Sequence, residues 1–281
     1  MKLEWKRLGV ALLLGTLLTA CETTTVRQHP DFASGKRKIN VVAVMPADVE
    51  YRNLVFTGEN ERDTAREKTI AAEIESGMNA VLLKHGYTPK AVLLDKAKAG
   101  DREFNFQLEQ IKGAYGLISK DLYARPHLPV EESTKFKLGV GPLANPFASQ
   151  SGADALIFAR YYGFTKSDGL IAKEVVASAL LAALTGVYYI PIKSSGQIEL
   201  SLIDGVSGDV LWSNVAGGPT GSFAILDGAA ARLPPGPAAV KTTTVAAATP
   251  PVGPAVAGEP ATAPPAPVAP TAAPAGASPA P

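Results

Sequence analysis

Apolar positions change their period several times along this chain, and each change marks a predicted element. Residues 39–45, INVVAVM, are almost continuously apolar and stop at Pro46, the pattern of a strand covered on both faces. Ile70, Ile74, Met78, Val81, Leu82 and His85 then recur at helical spacing, with Gly86 as a C-terminal stop. Just upstream, Thr64-Ala65-Arg66-Glu67 has capping-box spacing, so the helix is predicted from Thr64. His85 falls in its last turn, where the helix dipole favours a positive ring in a capping role. Residues 87–94 predict an edge strand, the place where Pro89 is tolerated. Phe104, Leu108, Ile111, Tyr115, Ile118 and Leu122 form one apolar stripe of a second helix. Gly113 and Gly116 each weaken it by roughly 1 kcal/mol relative to alanine and mark a candidate bend or break.

Further along, 152–163 reads as a turn followed by a strand, and 197–204 with 209–214 reads as a hairpin turned by Gly205-Val206-Ser207-Gly208. Its inward face is predicted to carry Ile198, Leu200 and Leu202, met by Val210 and Trp212. Strands alternating with helices give an α/β class. Two stretches lack periodicity. Residues 48–63 are polar and turn-rich and follow a strand's carboxyl end, the side where ligands sit in open α/β sheets, so partner contacts are expected there. Residues 125–150 hold four prolines and read as a long irregular connection.

Residues 175–192 break the pattern, with no charged residue in 18 positions. That is the lower limit for a bilayer span, but Gly186 and Pro191 interrupt it and 187–192 has strand character. Three readings stay open: a buried or oligomer-facing helix followed by a strand, a membrane-touching segment, and a full span. The first is favoured, because Ala, Ser and Leu over 177–184 suit close helix packing, and a full span would have held a secreted protein in the inner membrane.

Composition adds an address. Lys2, Lys6 and Arg7, an apolar run over 9–18, and the small residues Thr19 and Ala20 precede Cys21, the single cysteine of the chain. The run is too short for a stable span and fits a signal peptide over 1–20. Its end resembles the lipobox of bacterial lipoprotein precursors, in which the residue matching Cys21 is acylated and becomes the mature N-terminus. That resemblance makes Cys21 the lipidation site and, with Glu22 next, the outer membrane the destination. Residues 21–38, with Pro30 and Lys36-Arg37-Lys38, are expected to be a tether, whose basic end could meet anionic headgroups. The folded domain is expected over 39–230. Residues 231–281 are dominated by Ala, Pro, Thr, Val and Gly and are expected to be a disordered tail, which at roughly 3.1 Å per residue could reach about 150 Å.

Chemistry narrows the function mainly by exclusion. Lysine and arginine number 27 against 26 acids, interleaved, so the electrostatic footprint of a nucleic-acid binder is missing. No Gly-x-Ser-x-Gly elbow, phosphate loop or HExxH occurs, and His29, His85 and His127 are scattered, so neither an enzyme, a cofactor nor a metal is expected. Asp204 and Asp209 flank the hairpin turn, where acids usually serve as turn formers rather than calcium ligands.

A family resemblance enters with the later motifs. Gly152-Ala153-Asp154-Ala155-Leu156, then Tyr162-Gly163, then Leu202-Ile203-Asp204, Ser207-Gly208 and Val210-Leu211-Trp212 resemble the closing strands of the outer-membrane lipoproteins related to CsgG, to LpoB and to the N-terminal domain of TolB. Met45-Pro46 is similar to the end of their first strand. The resemblance runs over about 39–216, transfers no catalytic residue, and departs at 169–192, where a short connection is expected. It implies an α/β fold with a mixed sheet packed with helices and a non-enzymatic structural or assembly role through contacts with envelope proteins, with a membrane contact through the N-terminal lipid and self-association as a further option. The competing reading is a periplasmic module that binds a small lipid or glycan.

Overall fold

The computed structural model describes residues 23–219 and 221–238, and among these residues it contains ten strands and eight helices. The strands are β1 (Thr23–Thr24), β2 (Arg27–Gln28), β3 (Val41–Val44), β4 (Asp48–Leu54), β5 (Asn60–Arg62), β6 (Thr88–Lys90), β7 (Leu128–Pro129), β8 (Ala155–Lys166), β9 (Ser194–Asp204) and β10 (Val210–Gly218). The helices are α1 (Pro30–Ala33), α2 (Thr64–Lys84), α3 (Val92–Lys98), α4 (Arg102–Leu122), α5 (Val130–Ser133), α6 (Asn145–Ser151), α7 (Asp168–Thr185) and α8 (Ser222–Ala230).

The main sheet runs β2-β10-β9-β8-β3-β6 and is mixed: β3 is parallel to β6 and β8, whereas β8, β9, β10 and β2 are antiparallel neighbours. β8 is long enough to take β3 along its first residues and β4 along its last seven. On one face, Val42, Ile157, Leu200 and Trp212 pack with Ile70, Ile74 and Met78 of α2 and Ile225 and Leu226 of α8. On the other, Leu156, Phe158 and Ile203 pack with Phe104, Leu108, Ile111 and Tyr115 of α4 and Phe147 of α6. Phe104 and Phe147 meet edge to face at 5.5 Å, and Tyr115 stacks on Phe158 at 5.5 Å. The predicted α/β class with a mixed sheet is therefore the observed one, and the predicted stripe of the second helix is its buried face. α4 is unbroken at Gly113 and Gly116, running from Arg102 to Leu122.

Several expectations are corrected. Residues 23–29, read as tether, lie in the fold: β2 pairs with Trp212 and Ser213 of β10, and Val26, Arg27 and His29 are buried. Strands of two residues are too short to show a period, which is why polarity alone suggested a linker. Arg37, read as part of the tether's basic end, bonds Asp209 Oδ2 at 2.8 Å. The loop expected at 48–63 contains the β4–β5 hairpin. The cap of α2 is Asp63, whose carboxylate accepts from Arg66 N, while Glu67 turns inward to accept from Tyr51 N. The edge strand is only Thr88–Lys90, and the irregular 125–150 contains β7, α5, a 3₁₀ turn over Gly141–Ala144 and α6. Val210 packs beside Ile203 on the α4 face, since a bulge between Val210 and Trp212 puts them on opposite faces. Leu233 is buried and Gly236 N donates to His85 O, so ordered packing continues past 230. Cys21, the signal segment and the tail from 239 lie outside the described residues.

Candidate functional site

α7 begins where Ser167 accepts from Leu170 N and ends at Gly186, whose φ of 73° no β-branched or bulky residue adopts readily. Alanines and leucines favour the helix, but its apolar side chains find no core. Ser178 is its only buried residue, and Leu184 is 85% exposed. The chain then returns as an extended stretch over 187–192, fastened by one side chain: Ser178 Oγ accepts from Tyr189 N at 2.9 Å and donates to Tyr189 O. Ile190 is 73% exposed. Ion pairs close the base of this arm, Lys166 with Glu174 at 2.7 Å and Lys193 with Asp168 at 2.8 Å, while Lys173 lies 5.2 Å from the Phe56 ring. The Lys193 ammonium holds the Asp168 carboxyl below its ordinary range.

The arm revises the sequence reading twice. Of the two placings expected for the helix, burial in this chain's own core is not the one observed, and the strand expected at 187–192 is not formed. Tyr188, Ile190 and Ile192 meet no hydrogen-bond acceptor for their amides among the described residues. No helix of the described residues is long and apolar enough to cross a membrane.

A groove begins at the base of the arm. Alternation along the outer ends of β4, β8 and β9 puts Glu50, Arg52 and Leu54, Tyr162 and Phe164, and Ser195, Gln197 and Glu199 on the α4 side of the sheet. α4 ends at Leu122 and leaves these strand ends uncovered. Two concavities of about 490 and 690 Å³ result, both lined by Tyr162, Gln197 and Gly217. The Arg160 guanidinium lies 5.1 Å from the Tyr162 ring and pairs with Asp48 at 3.2 Å. A Cβ at Gly116 would sit 3.3 Å from that guanidinium, so the glycine that weakens α4 leaves room for Arg160.

Beneath the groove lies a buried polar chain that the sequence did not signal. Glu199 accepts from the Tyr115 hydroxyl and from Ser119 Oγ at 2.8 Å; Tyr115 also meets Ser201, Ser201 donates to Ser213 at 2.6 Å, and Tyr123 meets Ser213 at 2.8 Å. Burial pushes the Glu199 carboxyl up, against the hydrogen bonds from Tyr115 and Ser119. Burial and the nearby Glu199 push the Tyr115 and Tyr123 hydroxyls up as well, so both remain donors. Arg27 is equally hidden, donating to the carbonyls of Thr24, Val26, Leu122, Arg125 and Pro126, with its guanidinium 5.2 Å from the Tyr123 ring. It ties the N-terminal strands to the end of α4.

The remaining sequence candidates stay apart. His127 lines the groove, His29 accepts from Asp31 N at the start of α1, and His85 ends α2. Burial lowers the His85 pKa, which opposes the charged capping role expected of it. Asp204 accepts from Val206 N and Ser207 N and, like Asp209, pairs with Arg37. Burial pushes Asp209 up, but bonds from Ser207 and Arg37 outweigh it and hold its carboxyl below the ordinary range. These acids are turn formers neutralised by an arginine, and no metal-binding group of three or more His, Cys, Asp or Glu occurs among the described residues.

No protein-family model matches the chain, and no curated protein does. Three solved structures are similar to it. They are the LpoB C-terminal domain from Salmonella enterica (12% identity, TM-score 0.25, 68% of this chain and 95% of that one), a PelC dodecamer from Paraburkholderia phytofirmans (10%, 0.28, 75% and 93%) and lipoprotein GNA1162 from Neisseria meningitidis (14%, 0.27, 74% and 98%). TM-scores of this size carry no argument about this chain, and a grouping with CsgG or TolB finds no further support among them.

Proposed function

We propose that this is a non-enzymatic lipoprotein of the bacterial envelope, acylated at Cys21, held at the outer membrane facing the periplasm, and working in assembly through contacts with other envelope proteins. The arm supports this reading: an uncharged helix and its return stand outside the core, and contiguous exposed apolar surface marks interaction sites. Nucleic acid and cofactors have no part in it. Photo-crosslinking from Leu184 in intact cells, read by mass spectrometry, tests it. Recovery of envelope proteins is expected, and recovery of lipid alone would overturn it. Metabolic labelling with a fatty-acid analogue tests the anchor, since Cys21→Ser should abolish incorporation.

A second reading rests on the groove. The Tyr162 ring beside Arg160, Gln197 and Glu199 suits a small glycan, which takes an aromatic face and several hydrogen bonds together. Saturable binding of a soluble envelope glycan by the purified protein, lost on Tyr162→Ala, would favour it.

A further inference from the structure

We infer that two copies of this chain associate arm to arm, their 187–192 stretches pairing antiparallel as edge strands while the apolar sides of α7 close over the pair. The inference rests on the arm being a protein-contact surface and names its occupant, a second copy.

The backbone points there first. In an extended chain, the amides and carbonyls of alternate residues face the same edge. Ser178 occupies the edge used by Tyr189. The opposite edge carries Tyr188, Ile190 and Ile192, whose amides have no acceptor among the described residues. Pro191 falls on the Ser178 side, so its missing N–H leaves no gap in the free edge. Val187, Tyr188, Tyr189 and Ile190 are strand formers without a strand partner. Hydrocarbon cannot supply one, since irregular backbone with unpaired polar groups is not carried into lipid.

Chemistry then selects the partner. Large exposed apolar residues elsewhere among the described residues are spread out: Phe106 and Leu117 lie about 16 Å apart along α4, and Val130 and Val206 lie on other elements. None of these spots matches the arm in length, whereas arm against arm matches by symmetry. A two-fold axis brings identical groups together and penalises charge, and 175–192 has none; the charges at its base are already paired. Ten large apolar side chains are exposed between 175 and 192, and at on the order of 80 Å² each they approach the roughly 800 Å² per partner of a standard interface. The simplest register places Ile190 opposite Ile190 and Tyr188 opposite Ile192.

Cysteine crosslinking in cells expressing the full chain tests the register. Facing Cα atoms of such a pair lie about 5.5 Å apart, within disulfide reach. Ile190→Cys should give a disulfide-linked dimer on oxidation, whereas Val206→Cys, remote from the arm, should not. Tyr188→Pro, which deletes one free-edge amide, should lower the dimer yield from Ile190→Cys at least tenfold without shifting the melting temperature. Absence of the Ile190→Cys dimer, or equal dimer from Val206→Cys, overturns the pairing. Photo-adducts from Leu184 separate the two levels: adducts only to other envelope proteins overturn the self-pairing and keep the protein-contact role, and adducts only to lipid overturn both.

Discussion

Arg27 shows what a single side chain can do unseen. It follows three threonines and a valine in a stretch with no period, yet its guanidinium satisfies five carbonyls. Arg27→Ala strands those buried acceptors and should cost about 2–4 kcal/mol in urea unfolding. Arg27→Lys should recover little, because an ammonium has three donors and lacks the planar fork. Glu199 was equally illegible, since a glutamate alternating with Ile198 and Leu200 reads as solvent-facing. Its folded pKa is raised, so the folded state holds its proton more tightly than the unfolded state does. The stabilisation it brings is full below the ordinary glutamate value and is lost as pH rises through the folded pKa. Thermal unfolding of the parent should therefore fall more steeply on going from pH 5 to 8 than that of Glu199→Gln. Equal slopes would show that burial does not govern this carboxyl.

Element by element, legibility followed length. α2, α4, β8 and the β9–β10 hairpin carry many turns or alternations and stood out, whereas β1, β2 and β7 have two residues each and show no repeat. Local chemistry misled at two ends. Thr64 and Glu67 match a capping box, but the cap moves to Asp63 because Glu67 turns inward to Tyr51 N and to Arg62 Nε at 2.7 Å. Asp63→Ala should thus cost about 1 kcal/mol and Thr64→Ala much less, a difference that chemical denaturation resolves. The turn at Gly208 was legible as a turn and not as a contact. Its φ is 73°, and a Cβ there would lie 1.9 Å from Gly141 O, so Gly208→Ala should destabilise well beyond the strain of its φ alone.

For the whole molecule, the sequence supplied the class and the position of the uncharged stretch over 175–192, but not whether that stretch is buried or exposed. Mean hydropathy cannot separate a helix that fills a core from one that waits for a partner, because both are apolar all round. Substitution energetics can. Leu202 is fully buried between β9 and the α2–α8 layer, and Leu202→Ala should cost about 2–5 kcal/mol. Leu181 and Leu184 are 47% and 85% exposed, so replacing both by serine should change the unfolding free energy by less than about 1 kcal/mol, as exposed positions do. The same double variant should lose the crosslinks made by the arm. If it instead unfolds as readily as Leu202→Ala, then α7 closes onto the core in solution and the surface assigned to partners is part of the fold.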